Sequence, residues 1–181
     1  GQVLFGLEQA GPQIAQTQTV YVVEGYLDVL RLAQEGIENV VATMGTATTH
    51  HHARRLLQMA DHVVFCFDGD AAGQRAAIRA LEASLPLISK NSSVNFLFLP
   101  SGHDPDSFVK QMGVAAFRKV AQEPTSLLDF FMTCVGQGCK LEFAEGKARM
   151  VANAAPLLGK IKDAQLLSNL VGRIAALTGI P

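Results

Sequence analysis

Six carboxylates stand where a chain of this pattern does chemistry: Glu24, Asp28, Asp68, Asp70, Asp104 and Asp106. Glu24 ends a short apolar run, Asp68 and Asp70 end another, and Asp104 and Asp106 come soon after a third. Asp28 lies one turn after Glu24 and can join them. Several carboxylates at close range repel and do not all ionise unless a cation sits between them. Oxygen ligands without His or Cys suit Mg²⁺ or Mn²⁺ rather than zinc. Two such ions a few ångströms apart activate a hydroxyl and stabilise a leaving pyrophosphate. The expected chemistry is therefore phosphoryl transfer, with no organic cofactor. A single Asp at a strand-to-helix junction also serves as an N-cap, so the reading rests on the acids converging. Gly25 and Gly69 would let the backbone turn sharply beside them, and Gly73 would permit close approach at a helix start.

Convergence requires a particular architecture. Val20–Val23, Asn39–Thr43, His62–Phe67 and Val94–Leu99 read as strands, the third apolar almost throughout, as in a parallel sheet covered on both faces. Between them lie helical patterns: Leu27, Leu30 and Ala33 closed by Gly36, a Thr48- or Thr49-capped helix with Leu56, Leu57 and Met59, and the Ala/Leu-rich Ala71–Leu85. Alternating strands and helices predict an α/β domain with a mainly parallel sheet. In such sheets the carboxyl ends of the strands share the edge where ligands bind. After Asp106 the pattern is helical: Phe108–Met112, Val114–Gln122, Leu127–Val135, Leu141–Ala155 and Ala164–Leu177. The expected division is residues 1–18 as a lead-in without clear periodicity, 19–122 as the α/β domain and 123–181 as a helical bundle.

The 181 residues are 49% hydrophobic with mean hydropathy +0.22, which easily supplies a core. No apolar run approaches the roughly 18–20 residues that span a bilayer, so the chain reads as soluble and cytoplasmic. It opens on Gly1 rather than Met, which reads as an excision from a longer protein. Net charge is −1. A protein that holds nucleic acid by itself usually carries a basic surplus. Such a surface, if needed, is expected in a part outside this chain. Cys66, Cys134 and Cys139 are an odd set without a paired framework and read as reduced thiols. His50–His52 point in different directions on a helix and read as a polar first turn rather than a metal site.

The segments Val22-Val23-Glu24-Gly25-Tyr26-Leu27-Asp28-Val29 and Phe67-Asp68-Gly69-Asp70-Ala71-Ala72-Gly73 resemble the two signature motifs of the TOPRIM domain. Met44–Thr49, Ala76–Glu82 and Phe98–Asp106 narrow the resemblance to bacterial DNA primase of the DnaG type, from about Leu4 to the end. The resemblance implies DNA-templated synthesis of RNA primers at replication forks by nucleotidyl transfer. It implies catalytic roles for Glu24, Asp68 and Asp70, with Asp28, Asp104 and Asp106 as further acids of a Mg²⁺ or Mn²⁺ cluster. Implied partners are a single-stranded DNA template and ribonucleoside triphosphates, with replicative helicase and single-strand-binding protein met through regions absent here. The family often places a basic residue directly after its Asp-Gly-Asp, where this chain has Ala71. Arg75 and Arg79 are the candidates to replace it as phosphate contacts.

Other functions fit less of the pattern. A haloacid-dehalogenase-type phosphatase expects Thr or Val where Ala72 stands, and places its aspartates on the first strand. A response-regulator receiver needs a lysine after its last strand, and Leu99-Pro100 offers none. TOPRIM nucleases and topoisomerases share the acids, but a topoisomerase also needs a nucleophilic tyrosine on another domain. A non-catalytic interaction fragment would rest on the bundle alone.

Overall fold

In a computed structural model, residues 3–181 are described, and they form a five-stranded sheet covered by helices. In chain order the elements are α1 (Leu7–Thr17), β1 (Thr19–Val23), α2 (Tyr26–Gln34), β2 (Val40–Ala42), α3 (His50–Met59), β3 (His62–Phe67) and α4 (Ala71–Ser84). Then come a 3₁₀ turn at Leu85–Leu87, β4 (Ser93–Phe98), α5 (Pro105–Met112), α6 (Val114–Ala121), β5 (Thr125–Ser126), α7 (Leu127–Gly136), α8 (Ala144–Leu158) and α9 (Ala164–Thr178). Strand order is β2-β1-β3-β4-β5, with all pairs parallel except β4–β5. The expected α/β class with a mainly parallel sheet is what the chain adopts.

Strand alternation sorts the core into two layers. Val20, Val22, Val63, Phe65, Phe67, Val94 and Phe96 face one side, where α1, α3, α4 and the α7–α9 helices pack. Val23, Val64, Cys66 and Leu97 face the other, against α2, α5 and α6. Both faces being covered explains why β3 reads as continuously apolar. The helices after Pro124 do not stand apart. β5 joins the sheet beside Asn95 and Phe96, and Phe130 of α7 packs its ring 4.6 Å from that of Phe96. Phe96 in turn stacks on Phe65 at 5.9 Å.

Several elements differ from the sequence reading, the two-residue β5 among them. Residues before Thr19 include a helix, α1, which tolerates Pro12 in its interior and buries only Ala10 and Ile14. So sparse an apolar stripe gives little periodic signal. Helix α8 continues through Pro156 to Leu158; the proline removes its own backbone N–H, and the helix runs only two residues further before Gly159. Among the histidines, His52 is buried rather than merely part of a polar turn. Its Nδ1 accepts the Thr49 backbone N–H at 3.1 Å and caps α3, while Nε2 is buried without a partner among the described residues.

Because Phe96 joins sheet and bundle in one core, Phe96→Ala is expected to cost about 3–5 kcal/mol. Denaturant unfolding should still show one transition by far-UV circular dichroism and by a bundle-specific label. Two separated transitions would contradict the shared core.

Candidate metal centre

Neighbouring parallel strands deliver the central acids. Val22 of β1 is in register with Phe65 of β3, so Glu24 leaves its strand beside Phe67 and Asp68 follows one residue further along the neighbouring strand. β3 is paired along its length with β4, and the Leu99 N–H donates to the Phe67 carbonyl at 3.2 Å. The segment after β4 is thereby held against the Asp68–Asp70 turn. Gly69 fits there because it lacks a Cβ, which would collide with the carbonyl oxygens of Leu99 and Pro100. Gly73 is required likewise, since a Cβ would meet the Asp68 carbonyl. These glycines answer to close packing rather than to a positive φ.

The Glu24 and Asp68 carboxyls lie within hydrogen-bonding reach of each other, a contact that works only if one of them holds a proton. Burial, then the Glu24 contact and the neighbouring acids, pushes the Asp68 carboxyl up to about 7. Glu24 is also raised, chiefly by burial. Ionised, Asp68 has a buried Oδ1 with no donor among the described residues. Asp28 is buried at the start of α2 and raised to about 6, mainly by desolvation. Its Oδ2 accepts the Gly25 N–H at 3.3 Å and its Oδ1 accepts the Asp106 N–H at 3.1 Å. Asp28 thus ties the first strand end to the last acidic loop.

The other acids have local duties as well. Asp70 caps α4, accepting the Gly73 N–H at 2.6 Å, and Asp104 caps α5, accepting the Ser107 N–H at 2.7 Å. Asp106 is paired with Arg31 Nε at 2.8 Å and Lys110 Nζ at 3.0 Å. The Arg31 contact, first of several, holds its carboxyl below the usual range. Arg31 escaped the sequence reading, although it sits one turn after Asp28 on the same helical face. Arg75 and Arg79 lie exposed on α4, four residues apart, without an ion pair among the described residues. They are not drawn in among the acids.

Among the described residues, no three His, Cys, Asp or Glu side chains already lie close enough to hold a metal ion. The electrostatics nonetheless fit a hard divalent cation. Glu24, Asp28, Asp68, Asp70 and Asp104 repel one another, and the orphaned Asp68 oxygen lacks a donor. A cation relieves both, and carboxylate oxygen is the donor that Mg²⁺ and Mn²⁺ prefer. The three thiols are free, with Cys66 buried among apolar groups of the opposite layer.

The fold and its acidic edge are those of a Toprim-like domain, and residues 21–109 match the family of that description. Residues 128–181 match a second family, described as the DnaB-helicase binding domain of primase. The chain is 44% identical to DNA primase of Pseudomonas putida over 99% of its own length and 27% of that protein's. It superposes on a DNA primase domain from Pseudomonas aeruginosa with TM-score 0.94 and 43% identity, covering 100% of this chain and 57% of that one. A DnaG primase catalytic domain bound to single-stranded DNA matches with TM-score 0.89 and 36% identity, over 97% of this chain and 57% of that one. Along its whole length the chain is similar to bacterial DNA primases of the DnaG type, and its fold is that of their catalytic core. It spans about a quarter of the curated relatives' length. The second match also alters one expectation: a region associated with helicase contact lies within this chain, in its helical bundle.

The raised carboxyls set the sign of a pH dependence. An acid whose folded pKa is raised binds its proton more tightly when folded, so it favours the fold at low pH. That contribution is lost as pH climbs from the unfolded value near about 4 through the folded value of about 7 at Asp68. Metal-free protein should therefore lose melting temperature between those limits, and Asp68→Asn should flatten the decline in calorimetric scans. An equally steep decline in the variant would contradict the shared-proton pair.

Proposed function

We propose that this chain supplies the divalent-metal half of a DNA-directed RNA polymerase site that makes RNA primers at replication forks. The observation that carries the reading is the Glu24–Asp68 pair at the carboxyl edge of the sheet, with Asp28, Asp70 and Asp104 around it. Glu24, Asp68 and Asp70 are the proposed catalytic residues and inner ligands. Asp28 and Asp104 are outer ligands, and Asp106 joins them only by exchanging its Arg31 and Lys110 partners. Two bound Mg²⁺ or Mn²⁺ ions would activate the attacking hydroxyl and offset charge on the departing pyrophosphate. The Glu24–Asp68 pair holds one proton until it is charged for binding, and the Asp106 N–H keeps Asp28 aimed at the edge. Arg75 and Arg79, about 6 Å apart along α4 by helical rise, are proposed phosphate contacts.

The substrates under this reading are single-stranded DNA template and ribonucleoside triphosphates, and the setting is the cytoplasmic replisome. A match to a primase domain bound to single-stranded DNA supports the template. The helicase is a proposed partner of the bundle, supported by the family match over 128–181. Single-strand-binding protein is proposed to be met outside this chain. The two family matches leave residues 110–127 between them, which supports a division near residue 122 into a Toprim part, 19–122, and a bundle, 123–181, after a lead-in of 1–18.

Calorimetric titration tests the metal assignment. Mn²⁺ should bind the wild-type chain at neutral pH with proton release, more weakly as pH falls below about 7, and Asp68→Ala/Asp70→Ala should abolish binding. Equal binding by both proteins would sink the assignment. The chain alone should make few or no primers, because its net charge of −1 offers little hold on a template. Robust synthesis by the chain alone would refute that account.

A further inference from the structure

At the end of the sheet away from the acids, a cavity of about 380 Å³ opens between α1, the start of β1, the turn before β2, and α6. That volume lies in the range of small-ligand sites. One wall is aromatic: Tyr21 meets Phe117 edge-on, with ring centroids 6.4 Å apart. The polar groups around it are held in fixed orientations by bonds made elsewhere. Gln13 Oε1 accepts two backbone N–H groups, those of Glu38 and Asn39, each at 2.7 Å. This forces the Gln13 amide nitrogen the other way, with no protein acceptor among the described residues. Asn39, which is buried, has the opposite polarity. Its nitrogen donates to the Thr19 carbonyl at 2.9 Å and to Thr17 Oγ1 at 3.4 Å, leaving Oδ1 free to accept. Arg118 is anchored through a single bond to the Glu35 carbonyl at 3.3 Å and forms no ion pair among the described residues. No carboxylate lines the cavity.

A donor beside an acceptor, an aromatic wall and one unpaired guanidinium define a specific ligand chemistry. We propose that this cavity binds a nucleoside monophosphate, the base edge meeting the Gln13 nitrogen and the Asn39 oxygen, the ring lying against Tyr21, and the phosphate meeting Arg118. Directional amide pairs read a base edge, which carries donors and acceptors in the same plane. Planar guanidinium suits phosphate. The site is separate from the carboxylates: β1 alone, five residues long, puts about 16 Å between the two sheet edges at ordinary strand rise. It stands whether or not the metal reading holds.

The test is titration of the 181-residue chain with AMP, GMP, CMP and UMP in EDTA, so that no divalent ion at the acidic edge can retain phosphate. At least one mononucleotide should bind with a Kd below about 1 mM and shift the NMR signals of Tyr21 and Phe117. Gln13→Glu keeps an oxygen for the two backbone donors while removing the amide donor, so the fold is preserved. It and Arg118→Gln should each weaken binding at least about tenfold, some 1.4 kcal/mol, whereas Asp68→Ala/Asp70→Ala should leave it unchanged. Four results would overturn the site. They are no binding at about 10 mM, losses under tenfold in either cavity variant, dependence on the aspartates, or inorganic phosphate binding as tightly as the nucleotides.

Discussion

Parallel pairing of β1 with β3 leaves Glu24 and Asp68 at the same edge of the sheet, too close for both to ionise without help. The surrounding structure is arranged around that repulsion. Burial raises both carboxyls, which stores a proton in the pair. Asp70 and Asp104 spend part of their charge on the N-termini of α4 and α5, where it is favourable. Asp106 is neutralised by Arg31 and Lys110. The edge is thus tolerable without a cation while keeping its inner oxygens uncommitted. That is an arrangement whose remaining repulsion a hard divalent cation would relieve.

The need to keep those oxygens close dictates the rigid features nearby. Gly69 and Gly73 have no room for a side chain, so the Asp68–Asp70 turn is pressed between the end of β4 and the first turn of α4. A site on so short a turn depends on the sheet beneath it, and the sheet depends on the aromatic stack of Phe65, Phe67, Phe96 and Phe130. Phe130 belongs to α7, so the helical bundle is structurally part of the scaffold beneath the acids. A partner that grips the bundle therefore grips an element packed directly on the strand next to the acids.

The sheet, its four parallel strands and the placing of acids at the strand ends were legible from sequence because each depends on local pattern. The apolar run at His62–Phe67 gave β3 its bounds, and strand ends placed the carboxylates. What escaped were pairings between distant residues. The Arg31–Asp106 ion pair joins positions 75 apart in sequence, and the Asp106 N–H bond to Asp28 spans 78. No periodicity encodes either. β5 escaped because two residues carry no alternation, and α1 because a helix burying only two side chains looks like a loop. His52 escaped for a related reason: its burial follows from the packing of α3 on the sheet, not from its neighbours His50 and His51.

The dual use of the acids also explains why this centre is less obvious in three dimensions than in sequence. Asp70 and Asp104 cap helices and Asp106 answers two cations, and among the described residues no three acids form a ready cage. A preformed cage would carry the full cost of clustered charge whenever the cation was away. Distributing that charge over helix N-termini and the Arg31 and Lys110 partners lowers the cost, and leaves only Glu24 and Asp68 in strained proximity. Sequence spacing records where the acids can meet; the geometry records the helix caps and ion pairs that hold their charge in check.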